Sequence, residues 1–181
     1  ALVPYALEDA RVRVLARHTN TLYRVETAGQ RYVFRVSAPG LRTEREIASE
    51  LAWLSALRKD TDLLVPEAVA TRSGRRLVRV GSKAAVVPGV LFRWIDGRVV
   101  GDRVSPALVR EAGAVLARLH DHADRFRPRG LFSETRLDQA WTYGVPEVLE
   151  RKGRVTGWPK ARRTLVCEAA ARVQTWLDGL Y

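Results

Sequence analysis

The chain has 181 residues, enough for one ample core or two small lobes, and its 46% hydrophobic and 28% charged content excludes a fibre or a disordered tail. Its net charge is +11, from 31 basic and 20 acidic residues, and 27 of the basic ones are arginine, an excess that points to nucleic acid, an anionic membrane face or phosphorylated small molecules. The longest nearly apolar run, Ala84 to Phe92, is interrupted by Pro88 and Gly89 and is too short to span a bilayer; with no signal pattern and a single cysteine, the chain reads as cytoplasmic, with no membrane partner.

Residues Tyr5 to Asp9 are weakly patterned and read as a short opening helix. Val12, Val14 and Ala16 then alternate with Arg11, Arg13, Leu15 and Arg17 as a first strand, and Leu22 to Glu26 form a second. Ala28, Gly29 and Gln30 connect it to a third, in which Tyr32, Phe34 and Val36 share one face and Val33 and Arg35 the other, so Arg11 to Val36 is predicted to be an antiparallel meander. Its tip, RHTNT, contains no glycine and is not a Gly-rich phosphate cradle. Pro39 and Gly40 end the third strand, and Thr43 is placed to cap a helix with the inward stripe Ile47, Leu51, Leu54 and Leu57. Glu50 falls on that stripe, where an unpaired carboxylate is costly, and Arg35 on the preceding strand is the cation that topology brings nearest. A strand cation paired with a helix glutamate is how kinase-like folds hold a basic group against nucleotide phosphates, although an acidic residue at the margin of a stripe also reaches water.

After this helix, VPEAV leads toward a strand, TRSGRR is a hairpin turn with Leu77 to Val80 returning, and Val86 to Ile95 is a further strand bent at Pro88 and Gly89. WIDGRVVGD, with glycines at 97 and 101, reads as a linker. Ser105, followed by Pro106, caps a helix to about Asp121 on the stripe Leu108, Ala112, Val115 and Leu119. Phe126 to Gly144 is loop-rich, and Arg162 to Leu180 forms a helix on Leu165, Ala169, Val173, Trp176 and Leu180, with Cys167 as a core thiol. The fold class is therefore α+β, with a β-rich lobe at 1–93 containing one helix, a linker at 94–104 and a helical lobe at 105–181.

Six segments in register resemble the aminoglycoside phosphotransferase family, small-molecule kinases with a two-lobed kinase-like fold: NTLYRV, RYVFRV, SELAWLSAL, VPEAV, LFRWIDGR and EAGAVLARLHDHADRF. The resemblance implies an ATP-dependent transfer of phosphate to a small-molecule hydroxyl. Arg35 stands where the family usually has its phosphate-binding lysine, and Glu50 where it has the pairing glutamate; guanidinium keeps the charge and contacts phosphate bidentately. By the same resemblance, His18, Thr19, Asn20 and Thr21 cover the phosphates, Val33 lines the adenine pocket, and Arg93 and Ile95 offer backbone groups to the adenine edge. The His-Gly-Asp loop with its following asparagine and the metal-binding aspartate are not in this sequence, so catalytic and magnesium-binding residues are expected outside it. A chain that starts at Ala1, lacks methionine and ends about where that loop should begin reads as the N-terminal portion of such an enzyme, its helical lobe incomplete and its uncovered apolar face open to a dimer partner.

Two other classes compete with this reading. A non-catalytic kinase-like binding or regulatory module would keep the nucleotide contacts alone, while a basic nucleic-acid binder would use tryptophans among arginines, such as Trp94, Trp141 and Trp158, but no recognised RNA or DNA motif surrounds them. His120 and His122, with Asp121 and Asp124, diverge at a helix end and lack further ligands, so no metal site is assigned to them.

Overall fold

A computed structural model describes residues 1–82, 85–98, 100–101, 104–128, 130, 132–133 and 159–179. The chain forms two compact units, Ala1–Ser133 and Glu134–Tyr181, and the expected linker at 94–104 falls inside the first. That unit is built on five antiparallel strands, β1 (Arg11–Arg17), β2 (Asn20–Glu26), β3 (Arg31–Ser37), β4 (Val78–Ser82) and β5 (Ala85–Arg93), ordered β1-β2-β3-β5-β4. The meander is present as expected, and the crossover after β3 sends the chain through a helix before β5 returns to pair with it, which leaves β3 central.

The period-2 pattern of β3 sorts the sheet into two faces. Tyr32 and Phe34 pack with Val25, Leu91 and Tyr5 on one face. On the other, Val90 and Phe92 of β5 meet Ile47 and Leu51 of helix α1 (Glu44–Asp60). Helix α1 starts at a complete capping box: the Glu46 amide donates to Thr43 Oγ1 at 3.2 Å, and the Thr43 amide donates back to the Glu46 carboxylate at 2.7 Å. Ile47, Leu51 and Leu57 are buried and Leu54 half-buried, so the predicted stripe is the one that seals the helix to the sheet. Gly89 is needed where β5 crosses Phe34, because a Cβ there would lie 2.7 Å from Phe34 Cζ.

Several local expectations change. The opening helix is a 3-10 turn at Val3–Tyr5, earlier than Tyr5 to Asp9. VPEAV forms no strand of its own; only Ala68 bridges to Phe92, with the Val69 amide donating to the Leu91 carbonyl at 2.8 Å. TRSGRR is a turn closed by the Thr71 amide on the Arg75 carbonyl, with Gly74 at φ +80°, but no paired strand precedes it. Val12 and Val14 on the edge strand β1 are nearly half exposed, since a strand with one neighbour has less to pack against.

Helix α2 (Pro106–Arg125) begins at Ser105, whose Oγ accepts from the Leu108 amide, and runs one turn beyond Asp121. Its predicted stripe is mostly uncovered: Ala112 and Val115 are exposed, Leu108 and Leu119 half-buried, and the residue that is buried is His122. In the second unit the described residues form α3 (Lys160–Asp178), in which Ala170 is buried while Leu165, Val173 and Trp176 are exposed. Cys167 is exposed there rather than core. Trp141 and Trp158 lie outside the described residues. Among the described residues no helix is long and apolar enough to cross a membrane.

Candidate functional site

The central strand and the helix behind it converge on one ion cluster. Alternation places Arg35 on the α1 face of β3, opposite Val90 of β5 and Leu22 of β2, and Glu50 follows Ile47 by three residues on the helix that crosses this face. The two meet as a bidentate pair, with Arg35 Nη1 donating to Glu50 Oε1 at 2.6 Å and Nη2 to Oε2 at 3.0 Å. The Arg35 guanidinium lies over the Phe92 ring, 5.0 Å from its centroid. Burial pushes the Glu50 carboxyl up, but the hydrogen bonds and charge of Arg35, joined by Arg42, outweigh it and hold the group below the usual carboxylate range. Arg42 also donates to Glu50, a contact that helix periodicity cannot show because Arg42 precedes the cap.

The other assigned residues are distributed around this pair. His18 and Thr19 form the tip between β1 and β2, where the His18 amide donates to the Asn20 carbonyl at 3.0 Å and the Ala38 amide to the Thr19 carbonyl at 3.3 Å. Asn20, opposite Ser37, shares the face of Arg35, and its side-chain carbonyl is buried without a hydrogen-bond partner. Thr21 points to the opposite face with Val36, so its side chain is separated from Arg35. Val33 sits on the Arg35 face between Arg24 and Phe92, half-buried. At the end of β5 the Arg93 amide donates to the Glu67 carbonyl at 2.9 Å, while the Ile95 amide makes no hydrogen bond among the described residues. Trp94, between them, carries Arg24 and Arg31 over its ring at 5.0 and 5.3 Å and donates to Asp96, which also pairs with Arg31.

A second seam joins α1 to α2. Trp53 Nε1 donates to His122 Nδ1 at 3.1 Å, so His122 carries its proton on Nε2 and offers it to Asp60 at 3.3 Å. The imidazole also stacks on Phe126 at 5.9 Å. His120, two residues away, is exposed, and among the described residues no group of three His, Cys, Asp or Glu side chains could hold a metal ion. His122 is a helix-packing residue, which its position next to the charged Asp121 concealed in the sequence.

A model of the phosphotransferase enzyme family (APH) matches residues 11–178. An uncharacterized protein of Synechocystis sp. is 32% identical over 112 residues, which are 62% of this chain and 31% of that protein. Among solved structures, a microcompartment-associated aminopropanol kinase is similar at 34% identity and a TM-score of 0.64, over 74% of this chain and 42% of that one. The amicoumacin kinase hAmiN, solved with AMP-PNP, Ca2+ and Ami, aligns at 18% identity and a TM-score of 0.67, over 92% of this chain and 48% of that one. A spectinomycin phosphotransferase aligns at 11% identity and a TM-score of 0.51 over 98% and 53%. The chain thus spans between a third and about half the length of these relatives, and the two more distant likenesses establish the kinase-like fold. With a family match that runs from the first strand to the last helix, the chain belongs to the phosphotransferase enzyme family.

Proposed function

We propose that this chain is the nucleotide-binding part of an ATP-dependent kinase that phosphorylates a hydroxyl group of a small molecule. The observation that carries the reading is the bidentate Arg35–Glu50 pair between the central strand and α1, which the family resemblance likens to the phosphate-binding cation and its glutamate. Glu50 occupies two of the five N–H groups of Arg35, so three remain for phosphate oxygens, and the carboxylate fixes the plane in which they point. Val33 gives the adenine ring an apolar wall, the Arg93 carbonyl and Ile95 amide face its polar edge, and the tip at His18, Thr19, Asn20 and Thr21 covers the phosphates, Thr21 through its backbone. Preorganised positive charge at the phosphates is the main protein contribution to this chemistry, in which the bond from the terminal phosphorus to the bridging oxygen breaks as the hydroxyl oxygen attacks and releases its proton. Magnesium, which the family resemblance implies, finds no set of ligands among the described residues.

Binding is the direct test. ATP should bind this chain and raise its melting temperature as its concentration passes the Kd. Arg35→Ala should weaken ATP by about 10- to 100-fold, as expected for a charge-assisted phosphate contact. If millimolar ATP leaves wild type unshifted, or if Arg35→Ala binds ATP as wild type does, Arg35 is not a phosphate ligand and the reading fails.

A further inference from the structure

One carboxylate, Glu50, carries two guanidinium ions, Arg35 and Arg42. The three side chains are 17% to 23% exposed, so the cluster keeps one unit of positive charge where water screens it poorly. In the first turn of α1, Glu46 accepts from Thr43 in the capping box, and Glu44 pairs with Arg79. Arg42 Nη1 donates to Glu50 and Nη2 to the Glu46 carbonyl at 3.3 Å, which leaves one further N–H on each of these two nitrogens.

Surplus charge beside unengaged Nη N–H groups is relieved by an anion that has several oxygens. We propose that Arg42 is a second phosphate-binding residue, which acts beside Arg35 on the outer phosphates of a nucleoside triphosphate through the Nη N–H groups that Glu50 and the Glu46 carbonyl leave open. The assignment rests on the reading of the Arg35–Glu50 pair as a phosphate site. Glu50 then has two tasks, to orient Arg35 and to tether Arg42 next to it, so that two forks address neighbouring phosphates. Such a site ranks ligands by phosphate count, because each added phosphate brings charge that a single cation cannot neutralise.

The test is calorimetric titration of the chain with ATP, ADP, AMP and inorganic tripolyphosphate at several salt concentrations, using wild type, Arg42→Gln, Arg42→Lys and Arg35→Ala. Arg42→Gln is expected to weaken ATP and tripolyphosphate about 10-fold or more and AMP less than about threefold, with a shallower dependence of ATP affinity on salt. Arg42→Lys should recover part of the loss, since ammonium keeps the charge without the fork. A loss in Arg35→Ala with none in Arg42→Gln overturns the role of Arg42 and leaves the phosphate site standing, whereas ATP affinity unchanged in both overturns the site itself. Equal weakening of AMP and ATP by Arg42→Gln also overturns the proposal, because it marks an effect carried through the fold. If the glutamine variant does not fold, Arg42→Lys decides: ATP and tripolyphosphate must weaken more than AMP relative to wild type, and affinities equal to wild type for all three overturn the role of Arg42.

Discussion

Replacing Glu50 with alanine removes the anion from between two arginines that cannot reach water freely. Arg35 loses two charge-assisted hydrogen bonds and Arg42 one, at sites 17% and 23% exposed. Breaking a fully buried pair costs about 3 to 5 kcal/mol; the remaining exposure lets both arginines recover some hydration, so about 2 to 3 kcal/mol is expected here. For a unit of this size that corresponds to about 5 to 12 °C in Tm. The acid dependence follows from the lowered pKa of Glu50. A carboxylate that ionises more readily folded than unfolded stabilises fully above its unfolded pKa and loses that contribution as pH falls through the folded one. Thermal melts of wild type and Glu50→Ala should therefore differ fully at pH 7 and converge on acidification below about pH 4, with Glu50→Gln close to alanine because it keeps the shape and loses the charge. A Glu50→Ala chain within about 0.5 kcal/mol of wild type at pH 7, or a difference that does not shrink in acid, would refute the reasoning.

Gly89→Ala should cost about 1 to 3 kcal/mol in urea denaturation, because its Cβ would lie 2.7 Å from Phe34 Cζ and 2.8 Å from Val80 Cγ2; a neutral result would mean that β5 shifts without loss. Thr43→Ala should lose about 1 kcal/mol with the capping box, while Thr43→Ser should keep it. His122→Ala should destabilise by about 2 to 3 kcal/mol, since it strands the Trp53 indole N–H and unstacks Phe126, and exposed His120→Ala should stay within about 0.5 kcal/mol; equal effects would remove the seam from the account.

What the sequence determined by itself is the set of features carried by neighbours along the chain. The Thr43 cap, the Ile47 to Leu57 stripe, the alternation of β3 and the Ser105–Pro106 start of α2 all follow from spacings of a few residues, and the structure contains each of them. The Arg35–Glu50 pair was legible for the same reason, since both residues sit on predicted faces and a charge on an apolar stripe demands a partner. Tertiary structure decided the rest. Arg42 lies outside any periodic element, so nothing local placed it on Glu50. Asn20 and Thr21 belong to β2 rather than to the tip, and the pairing of β2 with β3 decides that Asn20, not Thr21, shares the face of Arg35. VPEAV has a strand's composition but meets β5 at one bridge only, and the burial of His122 and the exposure of Cys167 depend on which helix faces are covered. Periodicity states which residues share a face; what covers that face is a property of elements distant in sequence, and it is there that pairing, burial and the second arginine on Glu50 were decided.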